Sequence, residues 1–575
     1  MNLQTLDWII VFGYFVMALL IGLWASQKAG KDIQTFFLAG RNMPWWLLGI
    51  SMVATTFSTD TPNLVTDLVR VNGVSGNWVW WSFLLTGMLT VFVYAKLWRR
   101  SGVLTDIEFY ELRYSGRAAA FLRGFRALYL GLIFNVLVMG AVSLAAVKFG
   151  EIVLGWDGWI TLLIACSITL IYSIMGGLKA VIITDFIQFF LAMIGSILAC
   201  AYIVNLDQVG GLTTLFSHNN VIDKISLFPN FSDPNLWIPI LFIPLAVQWW
   251  ASYYPGSEPG GGGYIAQRMF SAKDESNAVG ATLLFNIAHY SLRPWPWIII
   301  ALASLIVFPE LGDIQKAFPG LPNNKLGHDI AYPAMLTLLP SGLLGLVAAS
   351  LIAAFMSTMS TQVNLGSSYL VNDFYKRFIN PNSTENELVW VARLFTMISL
   401  VMGSILGLTL KNAGQAFDLL LLLGSGTGLI YILRWFWWRI NAYTEIIAMI
   451  SSLFIAGYFN FSDLELQNWE KIVYGAIITT FIWLISILFT PKDDNQTLQN
   501  FVDTVNPGGP GWSNFVSKLD SKPWLVPNGI LCMLLGCIAV YSILLGTGQL
   551  IYGNINIALV KIAISVVSSY ILFKI

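Results

Sequence analysis

Ser357, Ser360, Thr361 and Asn364 fall at i, i+3, i+4 and i+7, so a helix through them lines one face with hydroxyl and amide oxygens. Thr358 flanks that stripe, and the run leading into it from Gly345 is apolar, built from small residues and free of charge. Oxygens gathered in an apolar setting are what a small hard cation needs once it sheds water. Ser, Ala and Thr also let two membrane helices approach closely and hydrogen-bond, so the stripe alone supports either reading.

The elements that must position this stripe are membrane helices. Of the 575 residues, 56% are hydrophobic and 11% charged, with a mean hydropathy of +0.70. A soluble domain carries about 25% charged residues. Long apolar runs recur end to end, which implies an all-α polytopic membrane protein embedded in a lipid bilayer. The formal net charge is zero, so no global field recruits nucleic acid. Cys166, Cys200, Cys532 and Cys537 lie in apolar runs and read as free thiols, and the three histidines lack metal-ligand spacing. The first cation, Lys28, follows the apolar run from Leu6 to Ala25, which indicates a retained first span.

Window hydropathy gives roughly fifteen spans. Cations such as Lys28, Arg99, Arg123, Arg268, Lys376, Arg439 and Lys518 fall on alternate loops. About twenty lie on one side against about six on the other, which places the N-terminus outside and the C-terminus in the cytoplasm. Short loops suit a bacterial inner (plasma) membrane, and the Pro/Gly/Asn-rich stretch 490–523 reads as a cytoplasmic linker.

Two spans are interrupted. The second runs through Thr55, Thr56, Ser58 and Thr59 into Asp60 and Pro62, and the seventh ends in a Pro/Gly run that includes Glu258. A phosphate loop is a poor match to that run, because no Gly-Lys-Ser/Thr follows it. Paired interruptions in oppositely oriented spans point to a transport site made of discontinuous helices. The expected organisation is an extra span in 1–44, an inverted repeat of 45–206 against 236–439, and further spans in 440–575.

Tyr172-Ser-Ile-Met-Gly-Gly-Leu-Lys-Ala180, Thr184-Asp-Phe-Ile-Gln188, Tyr369-Leu-Val-Asn-Asp-Phe-Tyr-Lys376 and Arg434-Trp-Phe-Trp-Trp-Arg-Ile-Asn441 resemble, in this order, signatures of the sodium:solute symporter family. The resemblance implies a LeuT-like five-plus-five inverted-repeat core with one extra N-terminal and about four C-terminal helices. It also implies sodium-driven uptake of a sugar, sialic acid, amino acid, carboxylate or vitamin. By position, one sodium would take carbonyls from Ala54, Phe57 and Ala354 and hydroxyls from Ser357 and Thr358. The family often carries a carboxylate or amide where Thr56 stands. Some members hold a second sodium, and Asp185, Ser357, Ser360 and Thr361 fit that pattern, so two ions per cycle are expected. No basic residue lies near Asp185 in sequence to act as its counter-charge.

By the same positions the solute would meet Thr59, Asp60, Thr61 and Asn63 at the first break, with Trp80, Trp81 and Phe83 from the third span. Gln248, Trp249 and Trp250 would come from the seventh span, His289 and Arg293 from the eighth, and Asp418 from the eleventh. Asp60 and Asp418 stand where sugar-transporting relatives place Glu and Gln. A sugar or acidic sugar is the expected solute, with an amino acid or carboxylate as the alternative. Arg293 could bind a solute carboxylate, or pair with Asp60, Glu258 or Asp418 as a structural lock. A transport-inactive sensor of the same fold is a reading of another class, and no Ser-His-Asp set or phosphate motif supports an enzyme. No obligate protein partner is evident.

Overall fold

The computed structural model describes residues 3–29, 32–250, 259–321, 326–410, 427–462, 464–515 and 524–575. Eleven helices among the described residues are long and apolar enough to cross a membrane. In chain order the elements are α1 (Thr5–Ala29), α2 (Trp45–Thr55), α3 (Asp60–Asn72), α4 (Val74–Ser101), α5 (Gly116–Leu154) and α6 (Gly158–Val204). There follow α7 (Pro234–Ala246), α8 (Gly263–Ser271), α9 (Glu275–Val307), α10 (Leu343–Ile379) and α11 (Glu385–Thr409). The last are α12 (Ala442–Phe459), α13 (Asn468–Phe489), α14 (Asn495–Val505), α15 (Val526–Ile551) and α16 (Ile555–Lys574).

The expected break in the second span separates α2 from α3. Helix α2 ends at Thr55, and the Thr56 hydroxyl folds back to donate to the Met52 and Val53 carbonyls at 3.1 and 2.9 Å. Pro62 falls in the first turn of α3, where an absent N–H costs nothing, so the gap lies before the proline. Helix α6 is two segments joined at Gly177, whose φ of +53° suits glycine; a Cβ there would lie 2.6 Å from the Phe36 carbonyl.

The stripe helix α10 sits at the centre, packed against α6, α5, α11 and α1. Its N-terminus is capped from another span: Asp7 of α1 accepts from the Gly342 and Gly345 N–H groups at 2.7 and 2.8 Å. The extra first span is thereby tied to the core. Outer helices show apolar side chains outward, among them Phe454, Phe481, Leu488 and Val560, as lipid contact requires. The added C-terminal helix α15 is also anchored, since Tyr541 donates to the Trp81 carbonyl at 2.8 Å and Leu544 accepts from Trp295 at 3.1 Å.

The stretch expected to be a linker is instead partly folded. Within it, α14 buries Leu498, Phe501, Val502 and Val505. Trp512 donates to the Trp435 carbonyl at 2.8 Å and lies 4.8 Å from the Arg113 guanidinium. An amphipathic helix with a fully buried tryptophan beyond it is a cover over this end of the bundle. The remainder, 516–523, lies outside the described residues.

Candidate functional site

The gap between α2 and α3 faces the stripe on α10. Thr358 donates its hydroxyl toward the Thr55 and Phe57 carbonyls, at 3.1 and 3.3 Å. Those carbonyls are available because the helix stops there. The Ala54 carbonyl accepts from the Phe57 N–H at 3.2 Å, and Thr55 supplies the second carbonyl at Thr358. Ala54, Phe57, Ala354, Ser357, Thr358, Ser360 and Thr361 are all buried.

A second polar cage lies alongside. Asp185 of α6 accepts from Ser51 at 2.5 Å, from Ser357 at 2.6 Å and from Thr55 at 3.4 Å. The Thr55 and Thr361 hydroxyls are 3.2 Å apart. Ser360 turns back to the Ser357 carbonyl at 2.9 Å. The sequence offered no counter-charge for Asp185, and the structure supplies one. Arg268 of α8, read from sequence as a loop cation, is fully buried and lies 3.4 Å from the Asp185 carboxylate. It donates to Thr361 at 2.8 Å, Ser51 at 3.2 Å, Thr55 at 3.3 Å and Gln267 at 3.1 Å. Gln267 in turn donates to Asn364 at 2.9 Å, so every member of the stripe has a defined partner. Ser51, Thr55, Gln267 and Arg268 went unassigned from sequence; the signal was a polar pair inside an otherwise apolar, glycine-led helix.

The expected solute residues divide into two groups. At the break, Thr59 and Asn63 are buried, and the Ser58 and Thr59 hydroxyls have no partner among the described residues. Trp81 is fully buried and its indole N–H is likewise unpartnered. Buried polar groups are normally satisfied, so these donors can meet a solute or water. Asp60 and Thr61 adjoin one another with 3.5 Å between their oxygens. Trp80 donates to Asn77 at 2.9 Å and stacks on Tyr290, with ring centroids 5.9 Å apart. Phe83 is buried, Gln248 donates to the Val79 carbonyl at 3.4 Å, and the Trp249 and Trp250 rings lie 5.5 Å apart.

The second group contacts the end of α2. Arg293 donates through Nη1 to the Val53 carbonyl at 3.1 Å and to the Thr56 hydroxyl at 3.2 Å. Its guanidinium also lies over the rings of Phe57 and Trp297, which stack with centroids 5.1 Å apart. A cation at a helix C-terminus satisfies orphan carbonyls and complements the dipole, so Arg293 fastens the end of α2. His289 lies between, 3.1 Å from Thr56 and 3.4 Å from Arg293. Asp418 and Glu258 lie outside the described residues.

Residues 36–452 match the sodium:solute symporter family. The chain belongs to that family. This symporter is 27% identical over 511 residues to the sodium/glucose cotransporter of Vibrio parahaemolyticus, covering 85% of this chain and 91% of the relative. It is 26% identical over 489 residues to the human sodium/myo-inositol cotransporter 2, covering 79% of this chain and 69% of that one. Among solved structures, a substrate-bound, outward-open sodium-coupled sialic acid symporter superposes with a TM-score of 0.68 at 21% identity, covering 85% of this chain and 99% of the other. That likeness fixes the symporter's fold as the five-plus-five type expected from the sequence.

Proposed function

We propose that this protein imports a neutral sugar or polyol together with sodium, by alternating access across the cytoplasmic membrane, and catalyses no covalent reaction. The observation that carries this reading is the Thr358 hydroxyl facing the Thr55 and Phe57 carbonyls across the α2–α3 gap. A sodium ion there, completed by oxygens of Ala54, Ala354 and Ser357, would pin the broken helix to α10. The unpartnered Ser58, Thr59 and Trp81 donors and the Trp80 face suit a hydroxyl-rich solute with C–H surfaces. The sodium/glucose and sodium/myo-inositol relatives point the same way. Arg293 directs Nη1 to Val53 and Thr56, which favours a neutral solute over an acidic sugar or an amino acid. A second sodium at Asp185 carries a condition: the Arg268 guanidinium has to leave the cage.

The test is uptake into proteoliposomes of D-glucose, D-mannose, myo-inositol, sialic acid and proline, with an inward sodium gradient or none. The reading expects sodium-stimulated uptake of a neutral sugar or polyol, with the N-terminus outside. Uptake of sialic acid or proline alone would overturn the solute class, and sodium-independent uptake would overturn the coupling.

A further inference from the structure

We infer that Arg268 is a tethered cation that competes with sodium for the Asp185 cage, filling it whenever the ion has left. This rests on the sodium-coupled reading above. The cage is built from oxygens of three helices: Ser51 and Thr55 on α2, Asp185 on α6, and Ser357 and Thr361 on α10. Such a set of hydroxyls around one carboxylate is a hard-cation site. In this structure a guanidinium occupies it.

Three features make that occupancy exchangeable. First, the shortest contacts of Asp185 go to the Ser51 and Ser357 hydroxyls at 2.5 and 2.6 Å, whereas Arg268 stays at 3.4 Å. The Arg123–Asp373 pair in the same protein closes to 2.7 Å. Second, the shortest hydrogen bond of Arg268 goes to a neutral group, Thr361 at 2.8 Å. Third, its Nη1 is held by Gln267 at 3.1 Å, a neighbour on its own helix to which the side chain can remain attached on leaving.

Charge then permits one cation at a time. Asp185 and Arg268 are both fully buried and together neutral. Adding sodium without moving the guanidinium leaves a net positive charge in a dry cage, and removing both leaves a bare carboxylate; each is strongly unfavourable. The consequence is a carrier whose carboxylate stays paired after sodium departs, so the empty form can cross back.

The test is binding of radiolabelled sodium to the purified full-length protein without solute. Arg268→Gln is expected to reveal or tighten a sodium component by at least about tenfold, because the competitor is gone. Arg268→Lys, which keeps the charge, is expected to stay within about threefold of wild type. Arg268→Met serves as the neutral variant if Arg268→Gln does not fold. Asp185→Asn/Arg268→Met leaves no unpaired charge and should lack the component. Weaker or unchanged sodium binding in both neutral variants would overturn the inference, since a purely structural ion pair predicts that sign. If the inference fails while wild type still shows sodium-stimulated uptake, the proposed function stands.

Discussion

The Thr358 hydroxyl lies 3.1 Å from the carbonyl of Thr55, joining the middle of the stripe helix to the last residue of a helix that stops inside the membrane. Neither half is informative alone. A hydroxyl on a helix usually returns to its own backbone, as Ser360 does. A carbonyl at a helix end usually finds water or a cap. Facing each other, they are the oxygens from which the proposed sodium site would be built. Thr358→Ala should therefore raise the half-saturating sodium concentration for uptake by about tenfold or more, while Thr358→Ser stays within about threefold. Equal effects of the two substitutions would show that bulk rather than the hydroxyl matters.

Arg293 is expected to act on the fold of the break rather than on solute choice. Arg293→Met removes the guanidinium hydrogen bonds to the Val53 carbonyl and the Thr56 hydroxyl, a loss of about 1–3 kcal/mol. A lowered melting temperature with an unchanged order of preference among competing solutes would agree. A change from neutral to acidic solutes would instead place Arg293 in the pocket.

The half-buried His328 accepts from Arg70 through Nδ1 at 3.2 Å. Burial, then the neighbouring guanidinium, holds its pKa below the ordinary histidine value. The contact needs neutral imidazole, so its contribution is complete above that ordinary value. It is lost as pH falls from there through the depressed folded-state pKa. Thermal stability should decline on acidification through that window, and His328→Gln should flatten the decline. An identical pH profile in the variant would remove His328 from the account.

Trp512 tests the cover over this end of the bundle. It is fully buried between Trp435 and Arg113, so Trp512→Ala should cost about 3–5 kcal/mol of stability. Denaturant or thermal unfolding in detergent reads this directly. An effect near zero would mean that the segment is a passive linker after all.

Much of this molecule could be read from residue order, and the exceptions have physical causes. The break at Thr56 and the stripe from Ser357 to Asn364 are local patterns, set by side chains that cannot continue or cannot hide in a membrane helix. Arg268 was opaque because its partner Asp185 lies 83 residues away and only the fold brings them together. The counter-charge of Asp185 is therefore not local in sequence. The sequence leaves Arg293 either as a solute-binding cation or as a partner of a carboxylate, and nothing in its neighbourhood shows that the C-terminus of α2 points at it. Helix α14 is the opposite case. Leu498, Phe501, Val502 and Val505 have helical spacing, and Asp494 caps the first turn by accepting from Thr497. The glycines and prolines around it give the stretch as a whole the composition of a linker.

In the proposed mechanism, an ion held between the end of α2 and α10 organises the solute pocket. The most direct measurement is the affinity of purified protein for a solute whose uptake it drives, in sodium and in choline. Coupling of this kind is typically worth about 5–150-fold in affinity and is reciprocal, so sodium should tighten the solute and the solute should tighten sodium by the same factor. Solute affinity that is identical in sodium and in choline would contradict the account.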